Sequence, residues 1–120
     1  MKKRILVVAT LLALLTTPVF AGDKYGALAY SSGDGAWGWW ADANDQASAS
    51  RNALAKCQEH GSGCKVVLEF WNTCAAFAVG QGGYGWAHSP DENAAQSSAV
   101  QYCSQHGTDC EVKVWACTSR

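Results

Sequence analysis

Cys57-Gln58-Glu59-His60-Gly61-Ser62-Gly63-Cys64 returns as Cys103-Ser104-Gln105-His106-Gly107-Thr108-Asp109-Cys110. The offset is 46 positions at both ends (103 − 57 and 110 − 64). Gly38-Trp39 likewise returns as Gly85-Trp86. The chain therefore reads as two copies of one small unit, about 25–74 and 75–117. Residues shared by the copies are expected to serve architecture. Residues present in one copy are where a specific function would sit.

Upstream of each cysteine pair lies a helical pattern. Ala49, Ala53, Leu54 and Cys57 repeat as Ala95, Ala99, Val100 and Cys103, the rhythm of one helix face. Asn44 or Asp45 can cap the first helix. Ser89-Pro90-Asp91-Glu92 reads as a capping box with proline at the first helical position. Gly61 and Gly107 read as left-handed stops. Further upstream, Tyr25 to Tyr30 and Ala76 to Val79 alternate small and large residues, the period of a strand. Their alanine faces would let another element approach closely. Gly-rich turns follow, then returning strands Trp37-Gly38-Trp39 and Tyr84-Gly85-Trp86.

After each cysteine pair comes one more strand. Val66, Leu68 and Phe70 alternate with Lys65, Val67, Glu69 and Trp71. Val112, Val114 and Ala116 alternate with Glu111, Lys113, Trp115 and Cys117. The first set of each is expected to face the core and the second to be partly open to solvent. The fold class expected is α+β: two tandem strand-strand-helix-strand units forming one pseudo-twofold, largely antiparallel six-stranded sheet with two helices, stapled by three disulfides.

Six cysteines allow fifteen pairings, and sequence alone does not choose among them. The repeat favours Cys57–Cys64 and Cys103–Cys110, each pinning a helix end to the next strand. Cys74 and Cys117 are left over, and a bridge between them would clasp the two units together.

The first 21 residues read as an export signal. Lys2, Lys3 and Arg4 precede an apolar run from Ile5 to Leu15, and cleavage is expected after Ala21. That run is shorter than the roughly 20 residues a membrane span needs. Residues 22–120 would form a single domain of 99 residues (120 − 21). It keeps six basic residues and all ten acidic ones, a net charge of −4 (6 − 10). An acidic chain lacks the basic patch that nucleic acid or anionic lipid requires. The expected location is periplasmic or secreted, where disulfides persist.

Tyr-Gly-Ala-Leu-Ala-Tyr-Ser from Tyr25, Gly38-Trp39, Ala-Leu-Ala-Lys-Cys from Ala53, Cys-Lys-Val-Val from Cys64 and Cys-Ala-Ala-Phe-Ala-Val-Gly from Cys74 occur in that order. This set resembles a bacterial family of secreted, cysteine-rich proteins, domain of unknown function 4189. The resemblance covers Tyr25 to Cys117. It implies a small exported α+β domain and brings no catalytic residues with it.

No nucleophile elbow, zinc-protease helix or phosphate loop is present. Cys-x6-Cys is neither a zinc nor a redox spacing, so no metal and no cofactor is expected. His60 and His106 sit beside the helix ends, where a histidine favours the dipole. His88 belongs to one copy only and is read as lying in the loop before the second helix.

Six tryptophans stand out. Trp39 matches Trp86 and Trp37 matches Tyr84, which assigns these four to packing. Trp40, Trp71 and Trp115 have no aromatic counterpart. The binding residues expected are therefore Trp40, Trp71, Trp115, Glu69 and His88. The function expected is a non-enzymatic binding protein that recognises another protein, as an inhibitor, an immunity-type partner or a secreted effector. A cell-wall glycan binder using the same rings is the alternative, and a small hydrolase ranks last.

Overall fold

The computed structural model describes residues 22–119. The export signal read over residues 1–21 lies outside them. The first unit runs β1 (Tyr25–Tyr30), β2 (Trp37–Ala43), α1 (Gln46–Gln58) and β3 (Lys65–Trp71). The second runs β4 (Cys74–Gln81), β5 (Gly83–Ser89), α2 (Glu92–Ser104) and β6 (Thr108–Cys117). Each unit is the expected strand-strand-helix-strand.

The strands form two three-stranded antiparallel sheets, ordered β2-β1-β3 and β5-β4-β6, rather than one sheet of six. Each central strand is flanked on both sides by strands of its own unit, so no ladder crosses between copies. The sheets stack instead. Leu28, Leu68, Phe70, Phe77 and Val114 bury one another between them, joined by Ala75 and Ala116. The opposite face of each sheet carries alanines, Ala27 and Ala29 in one and Ala76 and Ala78 in the other, and a helix lies on each. The order of layers is helix, sheet, sheet, helix.

Glycine decides how close each helix comes. A Cβ on Gly38 would stand 2.4 Å from the Cys57 backbone nitrogen and 2.7 Å from the Ala53 carbonyl. On Gly85 it would stand 2.3 Å from Cys103 N and 2.6 Å from the Ala99 carbonyl. Those are backbone atoms that cannot swing aside, so both positions demand glycine.

The helix termini differ in detail from their sequence reading. Asp45 caps α1, its carboxylate accepting from Ser48 N at 2.7 Å. Asp91, not Ser89, caps α2; Ser89 ends β5, and its hydroxyl accepts from Asp91 N at 3.2 Å. Gly61 and Gly107 are not among the positive-φ glycines, which are Gly35, Gly63 and Gly82. They are needed for space: a Cβ on Gly61 would strike the Asp34 carboxylate and Ala36, and one on Gly107 would strike Gly83.

A β-bulge recurs in both copies. Leu28 pairs with Leu68 while Ala29 pairs with Val66, leaving Val67 extra. Phe77 pairs with Val114 while Ala78 pairs with Val112, leaving Lys113 extra. The inserted residue reverses the alternation. Val66 and Val112 thus turn toward their helices, not toward the face that holds Leu68, Phe70 and Val114 as expected.

All three disulfides form as the repeat suggested: Cys57–Cys64, Cys103–Cys110 and Cys74–Cys117. The role expected of the third does not hold. Cys74 opens β4 and Cys117 closes β6, directly opposite one another in the second sheet. The bridge staples one unit internally. The copies are joined otherwise, by the core between the sheets and by the short β3–β4 turn. Asn72 takes φ 54° in that turn, a conformation asparagine tolerates. Asp42 adds a further tie, its carboxylate accepting from Ser119 N at 2.7 Å.

Candidate functional site

The register sorts the aromatic residues by face. Gly38 touches α1, so Trp37 and Trp39 point to the other side of β2, level with Tyr30 and Leu28. Gly85 touches α2, so Tyr84, Trp86 and His88 point to the corresponding side of β5, level with Val79, Phe77 and Ala75. These are the sheet faces that meet in the middle of the molecule. They do not meet completely. β6 packs against β1 and β2, and β4 packs against β3, but β5 makes no comparable contact with the first sheet. It overhangs, and its inner face forms an open shelf.

The consequence is exposure where packing was expected. Trp37 and Trp39 are 46% and 45% exposed, Tyr84 62% and Trp86 46%. The shared aromatics are therefore not buried architecture. Gly38 and Gly85 carry the signal that would have shown this. A glycine flush against a helix forces its two neighbours on the strand to face away from that helix.

At β5 the shelf opens into a groove of about 1030 Å³. Tyr30, Lys65 and Val67 line its first-sheet side, and Phe77, Val79, Tyr84 and Trp86 its second-sheet side. Tyr30 and Phe77 have ring centroids 5.4 Å apart, and Phe77 and Tyr84 5.8 Å. Trp86 and His88 stack at 6.4 Å. The groove also reaches Tyr102 and His106 at the end of α2, on the other side of the sheet. It thus passes around the open edge of β5. A smaller trough of about 380 Å³ follows β2 in the same way, from Trp37 and Trp39 to Lys56 and His60. No carboxylate lines either one.

The residues singled out from sequence are placed differently. Glu69 and Trp71 share the outer face of β3, opposite Ala27 and Tyr25, where Glu69 accepts from the Ser50 hydroxyl at 2.7 Å. Trp71 is 58% exposed there. Trp115 lies on the outer face of β6, opposite Ala76, and so on the far side of the layered stack. The two rings do not form one patch. Trp40 is opposite Ala27 and half-buried against α1. His88 is in β5, not in a loop, and joins the shelf. Only His88, of the five, reaches the groove's neighbourhood.

Electrostatics near the site are local. Lys113 donates to Glu111 at 2.7 Å; that bond holds the Glu111 carboxyl below its usual range and raises the Lys113 ammonium. Asp34, in the β1–β2 loop, is held below the usual carboxylate range chiefly by Ser62 N, with the Ser31 hydroxyl and Ala36 N adding to it. Among the described residues no cluster of three or more His, Cys, Asp or Glu could hold a metal. None of the helices there is long and apolar enough to cross a membrane. The arrangement offers stacking faces, a few donors and an open strand edge.

The fold is a duplicated, disulfide-stapled α+β domain. The chain belongs to the family described as Domain of unknown function (DUF4189), which matches residues 25–117. It is similar to the NMR structure of Rv1813c from Mycobacterium tuberculosis, with 27% identity and a TM-score of 0.58 over 83% of this chain and 79% of that one. No curated protein matches it.

Proposed function

We propose that this is an exported, non-enzymatic binding protein of the periplasm or secreted space that recognises another protein through the overhanging face of β5. The observation that carries the reading is the exposure of Tyr84 and Trp86 on a disulfide-stapled sheet beside an open groove. Aromatic anchors next to a pocket are the usual source of binding energy at protein interfaces. The role moves from Trp71 and Trp115, which lie on opposite outer faces, to Tyr84, Trp86 and His88. A wall glycan stacking on Tyr84 and Trp86 is the second reading, favoured by the exposure of both rings.

The test is affinity capture with the mature protein, identification of the retained protein, and titration of that protein against variants. Tyr84→Ala combined with Trp86→Ala should weaken binding about tenfold or more. Trp71→Ala combined with Trp115→Ala should leave it unchanged. A folded Tyr84/Trp86 variant that binds normally refutes the site. Saturable quenching of tryptophan fluorescence by muropeptide fragments, with no protein retained, would favour the glycan.

A further inference from the structure

The open edge of β5 lacks the features that usually protect a sheet edge. Edge strands are normally blunted by bulges, prolines or charged side chains. β5 reads Gly-Tyr-Gly-Trp-Ala-His-Ser, without proline, lysine or acid, and its ladder with β4 runs from Gly83 to Ser89 with no shift of register. β2 is its counterpart and is protected at its C-terminal end. Its ladder with β1 shifts between Tyr25 and Ala27, beside Asp42 at φ 63°, and Asp42 is occupied by Ser119 N. The groove passes the β5 edge from Tyr84 and Trp86 on one side to Tyr102 and His106 on the other. A segment lying along that edge would touch both sides.

Charge identifies the occupant. The mature sequence carries −4, yet the groove has Lys65 and His106 in its lining and no carboxylate. Lys65 takes part in neither ion pair found among the described residues. Glu111, opposite Val79 in the β6 ladder, is held by Lys113. Resting on the protein-recognition reading above, we propose that β5 captures an extended, acidic peptide segment of its partner as a fourth strand of the second sheet. Alternate side chains of such a segment would point to opposite faces. One set would stack on Tyr84 and Trp86 with acidic side chains toward Lys65. The other would pass Tyr102 and His106. Backbone hydrogen bonds would give affinity and the alternation specificity.

The probe is a displayed library of random decapeptides, selected against the oxidised mature protein. Enriched peptides should carry Asp or Glu at alternating positions. They should slow hydrogen exchange of the β5 amides and bind about tenfold or more weakly when alternate peptide amides are N-methylated. Lys65→Glu, at a position that needs no refolding, should weaken them about tenfold and reverse the salt dependence. Peptides that depend on Trp86 but show no acidic bias and no β5 protection overturn this proposal and leave the protein-recognition reading standing. Failure to enrich any peptide overturns it too. A uronic-acid hexasaccharide that binds in place of peptides would overturn both. β5 amides already protected by concentration-dependent self-association would assign the edge to a second copy.

Discussion

In the first unit Tyr25 faces Trp71 across the end of the β1–β3 ladder; in the second, Cys74 faces Cys117 across β4 and β6. Two residues inward, Ala27 faces Glu69 in the first unit and Ala76 faces Trp115 in the second. The residues that seemed unmatched are thus register equivalents of different chemistry. The same contrast runs through the hairpin loops. In the first copy a polar lock closes the loop: Ser31 Oγ donates to the Ser62 carbonyl at 2.7 Å, and Asp34 accepts from Ser62 N at 3.0 Å. In the second, backbone packs on backbone, with Gly80 against Thr108 and Cys110 and Gly83 against His106 and Gly107. The second unit is tightened by a covalent bond and by glycine, and its edge strand β5 carries no acidic or lysine side chain. The two copies share the scaffold, and the larger groove lies at β5 rather than at β2.

The largest effect should come from the staple that only the second copy has. Cys74→Ala with Cys117→Ala opens a cross-link of sequence separation 43, which should cost about 4 kcal/mol in urea unfolding. Tyr25→Ala with Trp71→Ala, at the same register, should cost about 1–2 kcal/mol, because a half-buried Tyr25 and an exposed Trp71 contribute less than a covalent link. Equal losses would break the equivalence. Next come the glycines that both copies share. Gly38→Ala and Gly85→Ala should each destabilise by about 2–3 kcal/mol, since the added methyl meets helix backbone in both. A neutral result at either would mean that its helix sits farther from the sheet.

A smaller and pH-dependent effect should come from the polar lock of the first copy. Hydrogen bonds depress the Asp34 carboxyl in the folded state, so its contribution is present above the unfolded value, near 3.8, and fades as pH falls through the lower folded value. Asp34→Asn should therefore flatten the fall of Tm with acid below about pH 4. A mutant with the wild-type acid limb would remove Asp34 from the lock. The smallest stability effect belongs to the rings. Trp39→Ala and Trp86→Ala should each cost under about 1 kcal/mol, as expected of half-exposed side chains.

Much of the fold could be read in the chain, because the repeat fixed what periodicity alone leaves open. The Ala49/Ala53/Cys57 stripe and its copy lie buried as expected, and the repeat chose the correct disulfide partners. The bulges at Val67 and Lys113 were hidden, since an inserted residue leaves no mark in composition and changes the face of everything before it. One sheet was expected where two stack, because apolar strand faces do not state whether they bury sideways or face to face. The shared aromatics sit elsewhere than expected, for a specific reason. Trp39 and Trp86 were assigned to packing because both copies have them, but a repeat can keep a residue at a surface as well as in a core. Conversely, Trp71 and Trp115 are exposed as read, yet the layering puts them on opposite sides.

On the proposal above, recognition lives on β5 and not on β2. Parallel peptide selections against the wild type, Trp37→Ala/Trp39→Ala and Tyr84→Ala/Trp86→Ala test it directly. The account predicts the same enriched acidic sequences from the first two proteins and none from the third. Enrichment that survives in the Tyr84/Trp86 variant and vanishes in the Trp37/Trp39 variant would contradict it.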